Sequence, residues 1–410
     1  MVGEVVMKKI NIILFMMISA CSLYGCTQSS NSVDKLNDKS TEISSEYDDS
    51  QKLIADNNAE KEYEIPDKYD TVFWIGMAED NSARALCYGD SGYAIYDLSK
   101  QEECASYETR QDGYTIVENR FIGATKDKLY IYVNMYRDED VSVEKKGIFK
   151  SYGIAPESGD QIKKIYALNY ELSVVDEYDV NGIFSDSQEF NPNPIGVCVT
   201  ESDVWLANNS DIYKCDVNTS EVQMLDSKIE EQLKDITISD MVVSEDGSKL
   251  VFLGASLDEE GSQTYGIIDL NTAKVQLKHT ETDYINNLYK SGDLAYITDG
   301  ENPRTGKATG EIIVIDMNSM EISNFSVDNL ESTSARIDNQ HKYLITAVRI
   351  DDNNSSTKVR CHNLDTTDIS WEYQLPEGKL INMNIVQDKI FFYFFRSDNK
   401  IHIVQMNLEV

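Results

Sequence analysis

The feature that most limits what this chain can fold into is a short strand ending that recurs through it. In Ile268-Asp269-Leu270-Asn271-Thr272 an apolar run closes on an aspartate. Asp and Asn side chains hydrogen-bond their own backbone two residues on, so they mark turns. The same ending recurs with Asp97, Asn169, Asp216, Asp269, Asp316, Asn363 and Asn407 as markers, at intervals of 72, 47, 53, 47, 47 and 44 residues. Upstream of each marker lies a dense run of β-formers, as at 83–88, 129–134, 204–207, 250–254, 294–298, 343–348 and 390–395. The unit is clearest over 236–280, where strands are expected at 236–244, 250–255, 265–270 and 274–279 and Asp246-Gly247 supplies a hairpin turn. A four-stranded antiparallel sheet of this size cannot bury both faces alone, so the copies must stack.

A Gly-containing or Asp-containing turn, an apolar strand and then an Ile-Asp-Leu strand end resemble the blades of WD40-like and TolB-like β-propellers. The resemblance implies an all-β fold, a seven-bladed β-propeller of four-stranded antiparallel blades, over residues 61–410. It speaks for architecture only, because no unit carries the Gly-His and Trp-Asp pairs of true WD40 repeats. Blade seven runs out of chain before a fourth strand. The opening residues Glu62-Tyr63-Glu64-Ile65-Pro66 echo Glu372-Tyr373-Gln374-Leu375-Pro376, the expected fourth strand of blade six. Residues 62–65 are therefore expected to close the ring as the outer strand of blade seven, since an open ring leaves an unpaired edge.

The long first interval places an insertion at 137–163, with an alternating piece at 141–152 suited to an extra hairpin. Other long connections fall at 179–194, at 226–235 (read as a short helix) and at 299–310. In a propeller the loop from strand two to three and the loop between blades emerge on one face. All four insertions belong to those two kinds, so one face is elaborated and the other kept to tight turns.

The N-terminus addresses the chain. Lys8-Lys9 followed by the apolar stretch 10–20 reads as a secretory signal, too short to span a membrane. Leu23-Tyr24-Gly25-Cys26 resembles a bacterial lipobox, which implies a signal peptide over 1–25 and diacylation (palmitate) at Cys26; Ile18-Ser19-Ala20-Cys21 fits as well. Residues 26–60 are rich in Ser, Asn and Asp and are expected to form a disordered tether, on the order of 30 Å in reach. The expected location is the bacterial cell envelope, lipid-anchored and facing outside the cytoplasm.

With 37 basic against 71 acidic residues, a net charge of −34 argues against a nucleic-acid surface. Five cysteines in the body (87, 104, 198, 215, 361) have no zinc-type spacing and read as small buried hydrophobes. Gly89-Asp90-Ser91-Gly92 matches a serine-protease nucleophile motif, but all four histidines (279, 341, 362, 402) follow it, whereas that family places its histidine before the serine. It also falls between strands two and three of blade one, where it reads as a turn. The acidic runs at 176–182 and 351–354 lack the spacing of a calcium loop and read as solvated. Tyr136, Tyr152, Phe184 and Phe190 are the aromatics of the elaborated face and the candidate binding residues. No cofactor or metal is expected.

These readings point to a monomeric binding or scaffolding module for a protein, peptide or glycan. The alternative is a propeller hydrolase or lyase with its site at the central channel; enzymes of that kind need carboxylates, His or metal ligands converging on the innermost strands. No repeated His or Asp stands out on strand one, so the module is favoured.

Overall fold

The computed structural model describes residues 59–408 apart from 79–80, 147–148, 155–160, 184–192, 257–262, 281–284, 300–310, 327–331, 339–341, 350–356, 367 and 399. Cys26, Phe184, Phe190 and the acidic run 351–354 lie outside these residues. The described strands form seven four-stranded antiparallel sheets and one separate hairpin. Blade four shows the plan: Ile236–Val243 innermost, then Lys249–Ser256, Gln263–Asp269 and Lys274–His279 outermost. Second strands are apolar on both faces because each sheet is sandwiched between two neighbours; Leu129–Arg137 is buried along all but its last residue. Each of the seven junctions between adjacent blades holds one apolar cluster. At the junction of blades six and seven, Trp371 packs with Phe392 and Phe394, each ring burial contributing about 1.5–3 kcal/mol.

The ring closes as the sequence predicts. Ala59–Glu64 pairs antiparallel with Ile401–Asn407, placing Tyr63 opposite Ile403 and Glu64 opposite His402. The pairing begins at Ala59, two residues before the expected domain start. Side chains rivet it: Tyr63 donates to Gln405 Oε1 at 3.0 Å, Glu62 meets Arg396 at 2.5 Å and His402 Nδ1 at 3.1 Å, and Glu64 pairs with Lys400.

The marker residues have one job. In six blades the marker Oδ1 accepts two backbone N–H groups of the turn it opens: Asp97 from Ser99 and Lys100, Asp216 from Asn218 and Thr219, Asp316 from Asn318 and Ser319, and likewise Asn169, Asp269 and Asn363, all at 2.8–3.1 Å. The residue after the marker, such as Leu98 or Met317, donates back across the blade to the start of strand two and buries its side chain. All these turns lie on one face.

The opposite face carries the insertions. The piece expected as a hairpin pairs Val141–Lys146 with Phe149–Ile154. The expected helix spans Ser227–Leu233, capped by Asp226, whose side chain accepts from Lys228 N. Its Ile229 and Leu233 are buried in the junction between blades three and four. One expectation fails. Cys87, Cys215 and Cys361 are buried and Cys198 is partly so, but Cys104 is exposed on the outermost strand of blade one, Glu102–Tyr107, which has no neighbour on that side.

Candidate functional site

The innermost strands border the central channel and present an edge with no ladder partner, so their N–H and C=O groups need other partners. Side chains of the same strands supply them. The Arg120 guanidinium donates to Pro194 O at 2.9 Å and Ile195 O at 3.2 Å in the next blade. Asn384 Nδ2 donates to Ile75 O at 3.2 Å, Lys290 Nζ to Val243 O at 3.0 Å, and Arg336 to its neighbour Ala335 O at 2.7 Å and to Asn382 Oδ1 at 2.7 Å. Asp240 accepts from Met241 N at 2.9 Å and from the Leu288 N–H of the next blade.

Register brings these residues to common levels. Counted along strand two from the marker, one innermost position is held in successive blades by Thr71, Arg120, Gly196, Asp240, Asn287, Ser334 and Asn382, opposite Tyr88, Tyr132, Ala207, Leu253, Thr298, Ala347 and Tyr393. None is apolar. The next position is held by Val72, Phe121, Val197, Met241, Leu288, Ala335 and Met383, all apolar. This is strand alternation: Ser334 apart, whose place is given by backbone register alone, one set faces the channel and one packs between blades. In blades one, four, five, six and seven a register shift immediately precedes the polar position, and in blades one, four, five and seven the bulge re-aims the side chain that follows it.

The electrostatics at and beside this level are unusual for so acidic a chain. Burial pushes the Asp240 carboxyl up to about 7, against the pull of the Met241 N–H, Arg120 and Arg336. Burial also raises Glu118, near Arg120 on the same strand, and lowers Arg336. Arg336 lies over the Tyr289 ring at 5.4 Å, and the buried Tyr289 hydroxyl has no hydrogen-bond partner among the described residues. A carboxyl that titrates near neutrality beside guanidinium groups suits polar-ligand binding or proton transfer.

Of the sequence-chosen aromatics, Tyr136 and Tyr152 are among the described residues, and neither belongs to an innermost strand. Tyr136 ends a second strand, is 7% exposed, and its hydroxyl accepts from Gln161 Nε2 at 2.6 Å. Gln161 also donates to Asn134, whose amide reaches Asn193 at 2.6 Å, and the buried Lys163 donates to Ile183 O at 2.9 Å. Desolvation holds the Lys163 ammonium down to about 8. Tyr152 lies in the inserted hairpin, opposite Val143. The network stitches the base of the insertions to blades two and three.

Asp90-Ser91 is the two-residue turn of a hairpin in which Gly89 pairs with Gly92. A Cβ at Gly89 would stand 2.1 Å from Lys68 O, and one at Gly92, where φ is +93°, 2.4 Å from Tyr107 O. Close backbone packing thus explains both glycines. Ser91 borders a cavity of about 250 Å³ with Lys68, Tyr69 and Glu103 among its walls, and no histidine lines it. His279 pairs with Thr264, His362 with Thr346 and His402 with Glu62, in blades four, six and seven. Among the described residues no group of three or more His, Cys, Asp or Glu is placed to hold a metal ion, and Asp176 and Glu177 pair with Lys128 and Lys164.

The polar level at the channel was missed in the sequence for two reasons. Its residue types differ from blade to blade, and the bulge displaces it by one from any period-two count. The signal that finds it is distance back from the marker.

No protein-family model matches the sequence, and no curated protein matches it. Solved structures do. A chain of a mitotic checkpoint complex structure is 9% identical, with 93% of this chain and 99% of that chain covered and a TM-score of 0.52. A streptogramin B lyase is 15% identical, with 86% and 99% covered and a TM-score of 0.51. The β-propeller domain of a Myceliophteria thermophila protein is 10% identical, with 85% and 98% covered and a TM-score of 0.49. At these identities the first two likenesses speak for the fold alone: the chain folds as a seven-bladed β-propeller.

Proposed function

We propose that this protein is a lipid-anchored, extracytoplasmic propeller whose elaborated face is a binding or scaffolding surface for a protein, peptide or glycan. The observation that carries this reading is the contrast between faces. One is finished by repeated marker turns, whereas the other bears a hairpin, a capped helix and long connections on a rigid ring. The hairpin stands outside the seven blades, so closing the ring does not require it. Excision of Val141–Ile154, bridged by an Asn-Gly turn, tests it. The melting temperature should stay within a few degrees while association with envelope components, read by crosslinking in intact cells, is lost. Unchanged crosslinking would contradict the proposal. The anchor is assigned to Cys26: label from a palmitate analogue should vanish in Cys26→Ala and persist in Cys21→Ala, and the reverse pattern would move the anchor to Cys21.

A second reading, a hydrolase or lyase at the channel, is supported by the Asp240 carboxyl held near neutrality beside Arg120 and Arg336. It requires turnover that Asp240→Asn abolishes.

A further inference from the structure

Opposite charges meet at the channel without pairing. Among the described residues neither the Arg120 nor the Arg336 guanidinium comes within 4.0 Å of the Asp240 carboxylate, yet both act on it electrostatically. Each side is tethered and still has bonding capacity. Arg336 spends two donors on Ala335 O and Asn382 Oδ1, and a guanidinium has five. Asp240 accepts from two backbone N–H groups, and a carboxylate has about four acceptor sites. The Tyr289 hydroxyl beside Arg336 is buried and unmatched. Two walls of opposite sign, each with unused valence and more than 4.0 Å apart, are complementary to a ligand that carries both signs.

We propose that the channel holds a small zwitterion, with its carboxylate on Arg336 and its ammonium on Asp240. Charge matching argues against the simpler ligands. A plain anion would have to enter a chain of net charge −34 and would leave Asp240 unpaired. A plain cation would face two guanidinium groups with nothing to offer them. A zwitterion adds no net charge and engages both walls. The polar level around it (Thr71, Asn287 and Asn382 with Asp240 and Arg120) gives short hydrogen-bonding groups on the remaining sides. The site is separate from the elaborated face, so the two proposals stand or fall independently.

Equilibrium dialysis with radiolabelled glycine, the smallest such molecule, tests it on the full chain. Bound label is expected, displaced by unlabelled glycine but not by equal concentrations of acetate or methylammonium. Asp240→Asn keeps an acceptor for the Met241 and Leu288 N–H groups and is expected to weaken binding about tenfold or more. Absence of bound glycine, displacement by acetate as effective as by glycine, or undiminished binding to a folded Asp240→Asn would each overturn the proposal. Should Asp240→Asn fail to fold, the competition on the unaltered chain decides alone.

Discussion

Two aspartates of this ring do the same thing in different places and respond in opposite ways. Asp316, at a marker turn, accepts the N–H groups of Asn318 and Ser319; Asp240, at the channel, accepts those of Met241 and Leu288. At the turn little protein surrounds the carboxyl, so the Ser319 bond, outweighing slight desolvation, and then the Asn318 bond hold the Asp316 carboxyl below its ordinary range. At the channel the carboxyl sits deep among protein atoms while still partly accessible, so desolvation outweighs equivalent bonds and two guanidinium groups and lifts Asp240 to about 7. Equal hydrogen bonding thus yields a structural device at the rim and a titratable group at the centre. Depth among protein atoms decides which.

The comparison collapses most completely if the ring is opened. A chain starting at Asp67 lacks the Ala59–Glu64 strand and the buried Tyr63 and Ile65, leaving Ile401–Asn407 as an open edge. It should melt more than about 10 °C lower, with loss of cooperativity, whereas a chain starting at Ala59 melts as the full chain does. Equal melting of the two would sink the closure account.

Next in size is the channel carboxyl. Because its folded value is raised above the ordinary 3.8, Asp240 takes up a proton on folding between about pH 4 and 7. Its contribution is fully present below that window and is lost as pH rises through about 7. Asp240→Asn cannot titrate, so relative to the parent it should gain on the order of 2 kcal/mol between pH 5 and pH 8, allowing for channel water. Parallel stability curves for the two proteins across that range, by urea unfolding, would contradict the assignment.

The turn aspartate has the opposite sign. Asp316→Ala leaves two N–H groups without their partner and should cost about 1 kcal/mol near neutrality. Since the folded value is depressed, that cost is present above the ordinary carboxylate range and shrinks as pH falls through the folded value. Urea unfolding at pH 7 and pH 3 reads both numbers. Smaller still is Glu139→Ala in the elaborated connection: its side chain is 75% exposed and its ion pair with Arg137 spans 3.6 Å, so stability should change by less than about 0.5 kcal/mol.

The same contrast explains what could be read in advance. The markers were legible because an Asx turn admits only Asp or Asn, so chemistry imposes residue identity at Asp97, Asp216, Asp269 and Asp316. Closure was legible because Glu62-Tyr63-Glu64-Ile65-Pro66 repeats the local pattern of another outer strand. The channel level was not, because Thr71, Arg120, Gly196 and Asp240 need only be non-apolar. Burial of Tyr136 was equally hidden, since its covering network draws on Gln161, Asn134 and Asn193 from separate strands and connections. Cys104 escaped for a related reason, as an outermost strand with water on one side has no fixed requirement for polarity.

The claim on which the functional account rests is that the two faces differ in use, and face-resolved crosslinking in intact cells measures it most directly. A photoreactive residue would be placed singly at Glu139 and Lys228 on the elaborated face and at Thr219 and Asn271 on the turn face, all exposed. The account predicts discrete, reproducible adducts from the first pair and none above background from the second. Adducts of equal yield from both faces, or from Thr219 and Asn271 alone, would contradict it.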